Sequence, residues 1–103
     1  MSDVEAVVRE HARRVTTGDP RAREDLAPDA TLKPADLLDH LLQGGFHTFE
    51  LVAHARIGAH HLLKTKYVGS TTVVVQARWT QNATGRWQML DAEVARVATG
   101  ERA

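Results

Sequence analysis

The sequence predicts an α+β domain in which three N-terminal helices pack on a strongly curved antiparallel sheet. Three observations carry that prediction. Apolar residues recur at helical spacing up to Gly45. From Phe46 onward they alternate with polar residues instead. Short turns containing Gly or Asn separate the alternating runs, and they are too short for the crossover that a parallel pair needs.

Ser2 and Glu5 stand at capping-box spacing. Val4, Val7, Val8, Ala12 and Val15 then fall on one face, which predicts a helix over residues 3–16. Its valines are stiff at χ1 and lower the helix propensity, so packing has to hold it. Gly18 ends it. Asp19-Pro20 restarts the chain, with Asp as the cap and Pro at the first helical position, where its missing N–H costs nothing. That short second helix ends near Leu26, before Pro28. Residues 29–33 read as a loop or a very short strand. Pro34 opens a third helix with Leu37, Leu38, Leu41 and Leu42 as its apolar stripe, and Gly44-Gly45 stops it.

Four strands follow. In 46–57, Phe49, Leu51, Ala53, Ala55 and Ile57 share one face, and Thr48, Glu50, Val52, His54 and Arg56 share the other. After the Gly58-Ala59 turn, His61, Leu63, Thr65 and Tyr67 alternate against His60, Leu62, Lys64, Lys66 and Val68. After Gly69-Ser70, Val73, Val75, Ala77 and Trp79 face one way. A turn over 82–85 leads into a last strand over 86–97. One face of the sheet is richly apolar and suits burial under the helices. The other mixes Val52, Leu62, Val74 and Leu90 with charges, as a dimer surface does.

The 103 residues suffice for one domain, 1–103, with no repeat or linker inside it. Lys plus Arg number 13 and Asp plus Glu number 13, a balance that argues against nucleic acid or an anionic membrane as the partner. Residues 1–50 hold 6 basic and 10 acidic side chains, and residues 51–103 hold 7 and 3. With no cysteine there is no disulfide, thiolate nucleophile or Cys-ligated metal. No leader or long apolar run is present, and the expectation is a soluble cytoplasmic protein. Phosphate-loop and dinucleotide patterns are missing, and no cofactor is expected.

Gly18-Asp19 between the first helices, Leu26 through Asp29, and Gly85-Arg86-Trp87 opening the last strand together resemble the nuclear-transport-factor-2-like superfamily. The similarity is to its small polyketide-cyclase-like (SnoaL-like) and ketosteroid-isomerase-like domains, and this chain is shorter than a typical member. The resemblance implies a bent sheet wrapped around helices as a cone, a mainly apolar pocket for a small ligand, and a homodimer formed through the sheet. It does not transfer the isomerase mechanism. That chemistry uses a tyrosine on the first helix, and the one tyrosine here is Tyr67, in a strand.

Several residues are candidates for chemistry. His11 lies on the apolar side of the first helix, seven residues after Val4 and four after Val7. It reads either as a base reaching into a pocket or as a half-buried core histidine. Asp91 and Glu93 alternate onto the face of Trp87, Met89, Ala95 and Val97. If that face lines the cone, desolvation would push one carboxylate toward its neutral acid form. Bending of the strand, or pairing with Arg56 or Arg78, would instead take them out of the pocket. His54 and Arg56 share a face with Glu50, as a pocket triad or a solvated patch. Trp79 and Trp87 flank one turn, as core packing or as a ligand platform. The six histidines show neither an H-x-H pair nor an H-E-x-x-H helix, so no metal is expected. Three functions follow: a small-molecule-binding domain, with His11, Asp91 or Glu93 as polar contacts; an isomerase or cyclase acting on an apolar carbonyl compound; or a noncatalytic dimerisation or accessory domain with a filled cone.

Overall fold

The computed structural model describes residues 3–99. Helix α1 (Val4–Thr16) is followed by a 3₁₀-helix (Pro20–Asp25), strand β1 (Leu26–Lys33), helix α2 (Leu37–Gln43) and strands β2 (Thr48–Ile57), β3 (His60–Val68), β4 (Thr71–Gln81) and β5 (Trp87–Thr99). The five strands form one sheet in the order β1-β5-β4-β3-β2. The helices cover its inner face. No helix among the described residues is long and apolar enough to cross a membrane.

The helices start and stop for local reasons. Asp3 caps α1, its carboxylate accepting the Glu5 N–H at 3.1 Å. Ser2, the predicted cap, lies outside the described residues. Val4, Val8, Ala12 and Val15 turn inward as expected and are buried. Gly18 adopts φ 69°, a left-handed conformation open to glycine, and folds the 3₁₀-helix back against α1. Asp19 caps that helix by accepting the Arg21 N–H at 2.9 Å. The third helix begins at Leu37 rather than at Pro34 and runs for only two turns.

Two features of the sheet depart from the sequence reading. The stretch read as a loop or a very short strand belongs to an eight-residue edge strand, β1, which pairs parallel to β5. The sheet is therefore mixed and five-stranded rather than an antiparallel meander of four. Pro28 obscured this strand, yet an edge position with irregular register tolerates a residue that cannot donate to the ladder.

The second departure is a set of bulges that shifts which residues face inward. In β2 the register slips between Leu51 and Ala53, so Val52 is an extra residue. Phe49 and Leu51 stand opposite Tyr67 and Thr65, but beyond the bulge His54 stands opposite Leu63 and Arg56 opposite His61. His54 and Arg56 thus join the inner face, while Glu50 stays on the outer face near Lys66. In β5, Trp79 pairs with Met89 and Arg78 with Asp91, which leaves Leu90 as the extra residue. A further slip follows between Val94 and Arg96. Inserting one residue flips every later side chain until the next slip. Met89, Ala92 and Val94 face the core, and Asp91 and Glu93 do not.

Candidate functional site

Three elements deliver polar side chains to the middle of an apolar interior. α1 brings His11, which is 3% exposed. The 3₁₀-helix brings Asp25, 6% exposed. Residues three apart in a 3₁₀-helix eclipse one another, so Asp25 follows the row of buried Ala22 and points back at α1. Its Oδ2 lies 2.8 Å from His11 Nδ1. Arg14, the next residue of α1 on that side, places Nη1 3.7 Å from the same carboxylate oxygen. β3 supplies Thr65 and Tyr67 from alternate inward positions, 6% and 2% exposed.

The ring geometry of His11 is tightly constrained. With Nδ1 engaged by Asp25, Nε2 is the ring nitrogen left for a further partner. Trp79 meets the imidazole edge-on, with centroids 5.5 Å apart and planes at 75°. Asp25 therefore holds the ring through Nδ1 and Trp79 fixes the tilt.

His11, Thr65, Tyr67 and Trp79 line a narrow cavity walled by aliphatic side chains, including Leu37, Leu38 and Leu41 of α2. Its volume is about 20 Å³, room for a single water-sized group. Among the described residues, no hydrogen bond reaches the hydroxyls of Thr65 and Tyr67 or the Nε2 of His11. Three polar side chains thus border one mostly apolar space. Burial pushes the Tyr67 phenol well above its usual range, and the Asp25 carboxylate adds to the effect. At neutral pH the phenol is a hydrogen-bond donor.

A second polar cluster sits nearer the start of α1. Glu5 Oε2 lies 2.7 Å from His54 Nδ1, and His54 Nε2 lies 2.8 Å from His61 Nδ1. Trp87 stands edge-on against His61 at 5.2 Å. The bond from His54 holds the Glu5 carboxyl below its usual range. Desolvation lowers the His61 pKa, aided by the charges of His54 and Arg56 and opposed by Asp3.

The sequence candidates divide among three places. His11 and Trp79 meet in the cavity. His54, Arg56 and Trp87 gather around His61, with Glu5 as their carboxylate in place of Glu50; Arg56 donates from Nε to the Gly58 carbonyl at 3.1 Å. Asp91 and Glu93 do not share the face of Met89, because the Leu90 bulge turns them outward. There Arg78 Nε donates to Asp91 Oδ2 at 3.0 Å, and both carboxylates border an outer-face groove instead of the cone.

Asp25 and Thr65 escaped the sequence reading of the site, and Tyr67 entered it only as a strand tyrosine in the wrong place for an isomerase. The spacing from Ala22 to Asp25 was the available signal for the acid. For Thr65 and Tyr67 it was their alternation with Leu63 on the face that turned out to be internal.

No family model and no curated protein matches this chain. Solved structures do. An NTF-2-like protein of unknown function from Silicibacter pomeroyi superposes with a TM-score of 0.69 at 12% identity, covering 91% of this chain and 92% of that one. The epoxide hydrolase/cyclase-like enzyme SalBIII, of pyran ring formation in the polyether salinomycin, gives 0.65 at 12% identity over 92% and 94%. A ketosteroid-isomerase-like protein from Shewanella frigidimarina gives 0.62 at 13% identity over 87% and 92%. The chain has the nuclear-transport-factor-2-like fold.

Proposed function

We propose that this chain binds a small apolar carbonyl compound in its cone, with His11 as the base that meets it. One observation carries the reading: His11, Thr65 and Tyr67 line one mostly apolar cavity, and Asp25 Oδ2 holds the imidazole through Nδ1. An apolar wall with a few convergent polar groups is the usual build of a small-molecule site. Proton transfer next to a carbonyl needs a base and a donor to the developing oxyanion. His11 serves as the first and Tyr67 as the second. The resemblance to cyclase-like and isomerase-like folds agrees with this chemistry but does not choose between them.

The cavity, at about 20 Å³, constrains how a ligand enters. Anything larger than a water must displace a wall, and α2 is the wall best suited to move. It has two turns and no side-chain hydrogen bond at its N-cap Asp36. The same small volume is the specific observation that favours the rival reading, a noncatalytic domain with a filled cone.

Calorimetric titration with cyclohexanone separates the two. Saturable binding to the native chain that is lost in Tyr67→Phe and His11→Ala supports the site. Equal binding by all three chains, or none, supports the filled cone. We further propose that the outer sheet face joins two copies. Its Val52 and Ile57 are 44% and 64% exposed, beside Leu62. Light scattering on Ile57→Lys should then report monomers where the native chain gives dimers; identical masses would remove that face from the interface.

A further inference from the structure

The bulge at Val52 creates a histidine pair that no linear spacing announces. It turns His54 inward, two residue pairs along the β2–β3 ladder from His61. The two rings then meet nitrogen to nitrogen, His54 Nε2 to His61 Nδ1, at 2.8 Å. A contact of that kind between neutral rings holds only while a single proton sits between two lone pairs.

We propose that His54 and His61 chelate a divalent transition-metal ion, with water completing its coordination. The ion would displace the shared proton and sit to one side of the line between the two nitrogens. Two nitrogens each about 2.1 Å from one ion stand about 3.0 Å apart at a right angle and about 3.4 Å apart at a tetrahedral angle. The observed 2.8 Å is close to the first figure, so a right-angled pair of the kind Ni²⁺ or Cu²⁺ accepts needs little change in the nitrogen separation, with the rings turning until their lone pairs converge off the N–N line. The His54 side chain is one-quarter exposed, which leaves an approach for the ion and its waters.

The surroundings fit a ligand pair. Glu5 binds the other ring nitrogen of His54 at 2.7 Å, the carboxylate–histidine arrangement that orients a metal ligand and makes it more basic. Trp87, edge-on at 5.2 Å, orients the His61 ring. Arg56 is the unfavourable neighbour; its Nε is directed to the Gly58 carbonyl, and the charge of Asp3 acts in the opposite sense on His61. Among the described residues, no group of three or more His, Cys, Asp or Glu is arranged around a metal position. The site therefore has two protein ligands, and its affinity should lie well below that of a closed structural zinc site.

The test is titration of the untagged full-length chain with Ni²⁺ at pH 7.5, followed by calorimetry, and with Cu²⁺, followed by tryptophan fluorescence. The expected result is one ion per chain, with quenching of Trp87. Binding should be lost in His54→Ala and in His61→Ala. It should weaken about tenfold in Glu5→Gln and stay unchanged in His60→Ala, whose side chain belongs to the opposite face. Should an alanine variant fail to fold, the glutamine variants His54→Gln and His61→Gln supply the same comparison. Absence of binding up to millimolar Ni²⁺, or binding that survives loss of either histidine, would overturn the proposal.

Discussion

Tyr67 is the residue whose behaviour reports most simply on the interior. It is the sole tyrosine of the chain, so tyrosinate absorbance reads it without interference. Burial, with the Asp25 charge in support, raises its folded pKa above the value of about 10 for a free phenol. The stabilisation that follows is complete below pH 10 and is lost as pH rises beyond it, because the unfolded chain releases the proton first. We expect no tyrosinate signal at pH 10–11 in the folded protein, and an unfolding midpoint in urea that falls over the same range. In Tyr67→Phe that fall should be smaller. A titration centred near pH 10 with the fold intact would show a phenol open to solvent. The His11–Asp25 pair belongs to the same scale. Both side chains are nearly inaccessible, and removing one partner strands the other. Asp25→Ala should cost about 3–5 kcal/mol in urea unfolding, and the double variant with His11→Ala should cost less than the sum of the two singles. Additive costs would mean that the pair is not coupled.

At the scale of elements, the bulges matter more than any helix. The extra residue Leu90 lets β5 present Met89 and then Ala92 to the core while Asp91 meets Arg78 outside. Deleting Leu90 would leave a regular ladder with Met89 and Ala92 inward and Asp91 still opposite Arg78, whereas Ala92→Asp would put an unpaired carboxylate at an inward position, which costs several kcal/mol. We expect the deletion variant to keep its cooperative thermal transition and Ala92→Asp to lose it. An Ala92→Asp variant that melts like the native chain would disprove the face assignment. Here also lies the boundary of what the sequence discloses. Helical spacing placed α1 and its buried valines, and alternation placed the inward faces of β3 and β4, because periodicity reflects one-sided burial directly. His11 was legible for the same reason. A bulge changes a strand's phase without marking its composition, so Asp91, Glu93, His54 and Arg56 were set on the wrong faces. β1 was hidden because its partner, β5, lies at the other end of the chain and no local pattern records such a pairing. Asp25 was hidden because its partner lies 14 residues away across a reversal.

For the whole molecule, the fold puts a wide sheet around a few short helices and leaves a narrow space at their junction. Most of that space is filled by leucines and by Trp79, which is 1% exposed. The polar groups around the remainder have to be weighed against this filling. A core stabilised by burial alone gains nothing from placing His11, Thr65 and Tyr67 beside one mostly apolar space, since apolar residues would fill it without polar groups to bury. Their gathering there is the physical argument for a ligand, and the two-turn α2 is the argument for its entry. The account is tested most directly by long-range ¹H–¹⁵N correlation of the histidine ring nitrogens during titration with cyclohexanone. It predicts that the Nε2 resonance of His11 shifts saturably and that the shift disappears in Tyr67→Phe, while the rings of His54 and His61 stay in place. An unmoved His11 signal at saturating ketone would contradict the account and leave the cone as a filled core.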